Sequence, residues 1–156
     1  MNPHARVSIF VAALGLAACA SSPPSRFYTL SGAPAPASPS SALSIVVGPV
    51  TVPAVVDRPE IVVTVGENEV WLDEFNRWAS PLQSNISRAV AENLVALLGA
   101  PRVTQTLGVD ADFRVAIEVQ RFESTPGDSA MLDAAWLVRR VKDGKIETGR
   151  TTVREP

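Results

Sequence analysis

The chain has 156 residues and a net charge of −2, a length that suits one modest domain rather than two. Its 14 Lys and Arg residues are dispersed along the sequence, and the lack of a basic stripe argues against nucleic acid binding. The only histidine is His4 and the only cysteine is Cys19. The region after Cys19 therefore lacks the residues for a His and Cys metal site or for a Ser-His-Asp or Cys-His nucleophile.

Residues 1–18 have the organisation of a secretory signal peptide. Arg6 supplies positive charge, an apolar run follows it, and small residues come before Cys19. The run is about ten residues long, whereas a helix that spans the hydrocarbon core needs about 20. We therefore expect residues 1–18 to direct export and to be cleaved, and not to remain as a transmembrane anchor.

The cleavage region, residues 16–19 (LAAC), resembles the lipobox of bacterial lipoproteins, in which the cysteine is acylated and becomes the mature N-terminus. An ordinary A-x-A-type cleavage site beside a chance cysteine is the alternative. The lipobox is favoured because a single thiol cannot form an intramolecular disulfide. Stable anchoring needs more than one acyl chain, so we expect diacylglycerol and N-acyl lipid on Cys19 and no other cofactor. Ala20 follows the cysteine, which in lipoprotein sorting implies the outer membrane, on its periplasmic face.

Residues 19–42 form a predicted linker rich in Ser, Pro and Ala. Its proline-rich part, residues 33–39, should be an extended, semi-rigid spacer. The segment at 26–30 has strand composition and is predicted to pair with the domain as an edge strand. The globular domain is placed at 43–156.

The first half of this domain reads as strands followed by a helix. Residues 43–50 predict a strand buried on both faces, and residues 61–65 and 70–72 predict a hairpin joined at 66–69. Ser80, Pro81 and Gln83 form a capping-box pattern at the start of a helix, and Gly99 suits its left-handed C-cap. The apolar helix positions are predicted to cover a sheet, and the polar positions Ser84, Asn85, Arg88 and Glu92 are predicted to face solvent.

The C-terminal third predicts three antiparallel strands. Residues 113–119 alternate between apolar and polar side chains, residues 131–141 place Leu132, Ala134, Trp136 and Val138 on one face, and Asp143-Gly144 is a hairpin signal before a strand at 145–153. The predicted fold class is α/β, with a mixed, largely antiparallel sheet covered by one main amphipathic helix. Because one helix is little cover for five or six strands, we expect a second, C-terminal helix that is missing from this chain, which would then be C-terminally truncated.

Two local features could carry function. Asp73 and Glu74 are adjacent carboxylates, but neighbouring residues on a strand point to opposite faces, so a solvated strand end is favoured over a glycosidase-like pair. Residues 76–82 (NRWASPL) form the most distinctive string. Either Trp78 packs on the first helical turn with Arg77 over it, or the two belong to a partner interface, where Arg and Trp are enriched.

Several segments together resemble the PqiC-like (YmbA-like) family of ABC-type transport auxiliary lipoproteins. The most specific are DRP at 57–59 and, some twenty residues later, RWASPL at 77–82. The others are the lipobox at Cys19 and residues 27–30, 47–50, 52–53, 60–62, 75–76, 93–94, 121–123 and 136. Within them, Asp57, Arg58, Arg77 and Trp78 are the candidate partner-interface residues.

The resemblance implies a non-catalytic, periplasm-facing subunit of an MCE-type (mammalian cell entry) envelope lipid transport system that supports membrane integrity. It implies MCE-domain transporter proteins as partners, contact with outer-membrane lipid through the anchor, and a homo-oligomeric ring. The family usually continues through a further strand and a final helix. Two other functions stay open from the residues alone, a lipid-anchored structural scaffold unrelated to transport and a lipid-anchored hydrolase that uses carboxylates.

Overall fold

A computed structural model describes residues 22–32, 42–99 and 102–156, and within these ranges the chain forms eight strands and one helix. The predicted signal peptide, Cys19 and the spacer at 33–39 lie outside the described residues. The elements are β1 Arg26–Tyr28, β2 Ser44–Thr51, β3 Glu60–Gly66, β4 Glu69–Trp78, α1 Leu82–Leu98, β5 Arg102–Thr104, β6 Phe113–Thr125, β7 Ser129–Arg140 and β8 Ile146–Glu155.

The strands form two sheets. A three-stranded sheet has the order β1-β4-β3, and a five-stranded sheet has the order β5-β2-β6-β7-β8. The predicted meander of β6, β7 and β8 is confirmed as antiparallel, whereas β2 pairs in parallel with both β5 and β6. The α/β class with one main helix is thus confirmed. The strands form two sheets rather than one, since β4 pairs with β1 and β3 in the smaller sheet and β3 contacts the larger sheet by packing against β6.

Strand β2 is the most buried strand of the described chain. Ile45, Val46 and Val47 are all buried, as the continuous apolar run predicts for a strand covered on both faces. Helix α1 packs on β2 and on β5, a short strand that the sequence did not predict. The predicted strand at 43–50 is present, and its pairing with β6 shifts register between Val47 and Val50, at Gly48-Pro49.

Helix α1 matches its prediction along most of its length and differs at its start. Gly99 is the left-handed C-cap, with φ 57°. The capping box is wrong, because the N-cap is Pro81 and no side chain caps the first turn. The carbonyl of Ser80 instead accepts a hydrogen bond of 2.9 Å from Nδ2 of Asn85. The side chain of Asn85 is buried. The prediction that Asn85 faces solvent is therefore wrong.

Two hydrophobic clusters hold the layers together. The larger lies where α1 and both sheets meet and includes the buried residues Val56, Leu82, Ile86, Val119 and Ala134. The smaller lies between α1 and the start of β2 and includes Ile45, Val47 and Ala91. Burial of such side chains supplies most of the stabilisation of a domain of this size. The face of α1 that carries Leu82 and Ile86 therefore packs into the hydrophobic core.

The segment that follows the predicted anchor is bound to the domain at several points. Strand β1 pairs in parallel with the end of β4, and Leu30 packs against the larger cluster. Arg88 Nη2 donates a 2.6 Å hydrogen bond to the carbonyl of Leu30, and Glu92 Oε2 accepts one of 2.8 Å from the amide of Gly32. The polar positions Arg88 and Glu92, predicted to be solvated, therefore hold this segment on the helix.

Candidate binding surface

The four candidate interface residues are divided between two places. Arg77 and Trp78 are consecutive residues of β4, so their side chains leave the strand on opposite faces. Arg77 Nη2 forms a salt bridge of 2.9 Å with Oε1 of Glu60 on the neighbouring strand. Within the described part of the chain, Nε of Arg77 is buried without a hydrogen-bond partner. Arg77 therefore does not lie over Trp78.

Trp78 is half-buried and packs against the hydrophobic core. Its ring meets Phe122 edge-on, with centroids 6.1 Å apart and an interplanar angle of 72°, a favourable geometry for an aromatic pair. It also packs against the larger cluster, which contains Leu82 of the first helical turn. The packing role predicted as one alternative is thus present, and the exposed part of the ring leaves the interface alternative open.

The exposed part of Trp78 meets the loop that carries Asp57 and Arg58. The amide of Trp78 donates a 2.7 Å hydrogen bond to the carbonyl of Pro59, and the amide of Asp57 donates one of 3.2 Å to Pro53. A hollow of about 250 Å³ lies beside these bonds. It is lined by Asp57, Arg58, Pro59, Trp78, Ser80 and Pro81. Three of the four candidate interface residues therefore line one hollow. Asp57 and Arg58 are exposed there, and Trp78 is half-buried.

An apolar cleft lies on the other side of Trp78, between the three-stranded sheet and the far end of β6, β7 and β8. Its volume is about 380 Å³, and its walls include Val56, Val62, Trp78, Phe122, Leu132 and Val153. The sequence did not predict this cleft, because its walls come from strands far apart in the chain. The alternation of apolar residues in β6 and β7 was the one available signal, and it does not show which part of that face is covered.

Asp73 has a structural task in β4. Its carboxylate accepts hydrogen bonds from the amides of Phe75 and Asn76 at 3.2 and 3.1 Å and from Nδ2 of Asn76 at 2.7 Å. The side-chain bond from Asn76, assisted by the two amides, lowers the pKa of Asp73. Such bonds stabilise a local turn, here in the stretch between Asp73 and Arg77 where pairing with β3 is irregular. Asp73 and the exposed Glu74 do not face each other across a cleft.

A second carboxylate, Asp133, is buried in the outer face of the five-stranded sheet. Arg150 donates to both of its oxygens, and Thr152 Oγ1 lies 3.4 Å from Oδ1. The hydrogen bonds from Arg150 lower the pKa of Asp133. The ion pair between Asp133 and Arg150 joins β7 to β8, so it stabilises this pair of strands, called here the ribbon of β7 and β8. Across residues 22–32, 42–99 and 102–156, no three His, Cys, Asp or Glu side chains are grouped as metal ligands would be.

A family model described as the ABC-type transport auxiliary lipoprotein component matches residues 28–156. The chain belongs to this family. Membership confirms the resemblance inferred from the motifs at 57–59 and 77–82, and it makes this auxiliary lipoprotein a component that serves an ABC-type transport system at a membrane. No helix in the part of the chain described here is long and apolar enough to cross that membrane.

The auxiliary lipoprotein shares its fold with solved structures. A crystal structure of an uncharacterized protein superposes with a TM-score of 0.70 at 18% identity, covering 85% of this chain and 80% of the other. A DUF330 protein from Xanthomonas campestris superposes with a TM-score of 0.67 at 22% identity, covering 84% and 78%. No curated protein matches the sequence. At these identities the two structures support the fold alone.

Proposed function

We propose that this auxiliary lipoprotein is a non-catalytic, periplasm-facing subunit of an MCE-type envelope lipid transport system, held on the outer membrane by lipid on Cys19. The observation that carries the proposal is the family match, which begins at residue 28, shortly after the cysteine of the lipobox. The protein would support transport of lipid between the inner and outer membranes, and so the integrity of the envelope, by binding an MCE-domain partner.

The arrangement of polar groups supports binding rather than catalysis. Asp73 is engaged in a turn, and Asp133 is engaged in an ion pair with Arg150. A general acid or base needs access to a substrate proton, and neither Asp73 nor Asp133 lines the cleft or the hollow. Of the carboxylates that do line them, Glu123 forms a salt bridge with Arg121, and Glu155 in the cleft and Asp57 in the hollow are exposed. We therefore expect Asp73→Asn and Glu74→Gln variants that fold to retain envelope-barrier function, measured as resistance to detergent.

The hollow beside Trp78 is the proposed contact with the MCE-domain partner. Arg58 and Trp78 both line the hollow, and Arg58 is exposed while Trp78 is half-buried. Arginine and tryptophan in a partly enclosed site are typical of the residues that dominate binding energy. Arg77 lies outside the hollow, so its contribution would be to hold β3 and β4 together through Glu60.

The experiment is co-purification of the lipidated chain from crosslinked membranes. We expect the wild-type chain to recover an MCE-domain protein and Arg58→Glu to recover at least about tenfold less, the effect of a loss of about 1.4 kcal/mol in binding. Arg139→Glu is the matched control, because Arg139 is an exposed arginine near the end of β7, at the opposite end of that strand from the residues that line the cleft. Circular dichroism and thermal melting must show that both variants are folded.

The anchor and the partner are tested separately. Cys19→Ser should incorporate no labelled fatty acid, and the wild-type chain should fractionate with outer-membrane markers. If a lipidated, folded wild-type chain recovers no MCE-domain protein after crosslinking, the transport assignment is wrong and the structural scaffold becomes the better interpretation. If Arg58→Glu binds as well as the wild type, the hollow is not the contact.

A further inference from the structure

The tip of the β3–β4 hairpin exposes apolar side chains that neither the core nor the proposed partner contact uses. Val65 and Val70 are exposed, and Trp71 is 62% exposed. The other two tryptophans of the chain, Trp78 and Trp136, are half-buried. Trp71 pairs with Val63 and Val70 pairs with Thr64, so consecutive side chains leave both faces of the hairpin towards solvent. Isolated exposed apolar residues are ordinary, but three grouped at one tip mark an interaction surface.

The direction of β1 places the predicted anchor at the same end of the molecule. Strand β1 runs parallel to β4, with Arg26 opposite Asn76. The chain that precedes Arg26 therefore approaches from the side on which β4 begins, which is the side of the hairpin tip. Phe27, also strongly exposed, lies on this edge strand.

The length of the tether limits how far the anchor can be from this end. Arg26 lies seven positions after Cys19, so the two are at most about 25 Å apart when the chain is fully extended. Ser22, the first described residue, is at most about 11 Å from Cys19 by the same rule. Trp71 lies five positions before Asn76 in β4, which is about 17 Å along the strand. The hairpin tip is thus within the reach of the tether.

We infer that the hairpin tip, defined by Val65, Val70 and Trp71, rests on the surface of the bilayer that holds the lipid anchor. This inference rests on the lipidation of Cys19 in the proposed function. The indole of tryptophan has an apolar body and one N–H donor, and such rings are enriched at the headgroup level of membranes. The tether keeps the tip at a high effective concentration beside the bilayer, so a weak intrinsic affinity is sufficient.

The charges around the tip specify the kind of lipid. Glu67 and Glu69 lie in and beside the turn, and Glu74 follows Trp71 along β4. Carboxylates at the bilayer surface repel anionic headgroups over about one Debye length, or about 10 Å at 0.1 M salt. The surface therefore fits a zwitterionic bilayer, and insertion should weaken as anionic lipid is added at low salt.

The experiment places the lipidated full-length chain in phosphatidylcholine vesicles that carry brominated acyl chains, which quench nearby tryptophan emission. We expect the wild-type emission to be quenched and the quenching to be lost in Trp71→Ala. Leu107→Ala is the matched control, because Leu107 is also 62% exposed but lies in the loop between β5 and β6. Its quenching should equal that of the wild type. Exchange of part of the phosphatidylcholine for phosphatidylglycerol should reduce quenching at low salt and not at high salt.

Flotation of the vesicles separates this inference from the anchor. A chain that does not float with the vesicles would overturn the anchor and the inference together. A chain that floats but shows equal quenching in the wild type and Trp71→Ala would overturn the inference alone. Shielding of Trp71 only after addition of an MCE-domain protein, with no quenching by lipid before it, would also overturn it and assign the tip to a protein partner.

Discussion

Two valines of β2 and two valines of the β3–β4 hairpin have opposite surroundings. In β2, Val46 and Val47 are 0% and 1% exposed, whereas at the hairpin tip Val65 and Val70 are 51% and 47% exposed. Valine favours strands in both places for the same reason, its branched Cβ. The difference comes from the neighbours. Strand β2 lies between two parallel strands and under α1, whereas among the described residues the tip pairs only across its own hairpin. Residue type therefore indicates the strand and not its burial.

This contrast divides the consequences of substitution. Side chains under α1 contribute apolar burial, so their truncation should lower the free energy of unfolding. Side chains at the tip contribute little burial within the chain, so their truncation should change binding and leave stability nearly intact. Measurements at both ends of the molecule can test this division.

The largest effect on stability is expected under α1. Leu82 is 1% exposed and lies in the larger cluster, and Leu97 is 57% exposed on the same helix. Leu82→Ala should lower the free energy of unfolding by about 2–5 kcal/mol, because it removes buried methyl groups and leaves a cavity. Leu97→Ala should change it by less than about 0.5 kcal/mol. Urea unfolding followed by circular dichroism measures both, and equal losses would show that the burial pattern of α1 is wrong.

An intermediate effect is expected in the ribbon of β7 and β8. Gly149 pairs with Trp136, and a Cβ at position 149 would overlap the indole ring. Gly149→Ala should force Trp136 to move and lower the free energy of unfolding by about 1–3 kcal/mol, the usual effect of overpacking.

Gly66→Ala is the control for this substitution. A Cβ at position 66 would lie 3.6 Å from Cβ of Glu69, an ordinary contact. Thermal melting of the two variants should therefore separate them. A Gly149→Ala variant as stable as Gly66→Ala would mean that Trp136 does not lie over Gly149.

Local patterns were sufficient to predict most elements of this fold, but not the short strand β5. The period of two in β6 and the left-handed C-cap at Gly99 are each decided by residues close in sequence, and both agree with the structure. The capping box failed because Pro81, and not Ser80, is the N-cap. The side chain of proline has no oxygen that could accept a hydrogen bond from the first-turn amides.

The arrangement around the candidate surface could not be predicted because it depends on distant pairings. Arg88 and Glu92 appeared solvated by their helical spacing, yet they bind Leu30 and Gly32, which are 58 and 60 positions away. Trp78 belongs to the most distinctive string of the sequence, and it lines both the hollow and the cleft. Its position between a hollow and a cleft follows from the packing of two sheets, and the sequence contains no periodic signal for that packing.

A small effect on stability is expected at Trp71, although tryptophan is the largest side chain. In the described part of the chain its strand partner is Val63 across the hairpin, and a cross-strand pair contributes about 0.2–1 kcal/mol. Trp71→Ala should therefore lower the free energy of unfolding by less than about 1 kcal/mol. Trp78→Ala should lose a large part of the roughly 3–5 kcal/mol typical of a buried aromatic residue, because Trp78 packs on Phe122 and the larger cluster. Urea unfolding of the two variants compares the same substitution, seven residues apart in one strand. A Trp71→Ala loss as large as that of Trp78→Ala would mean that the tip is packed against the domain, and it would remove the exposed surface on which bilayer contact depends.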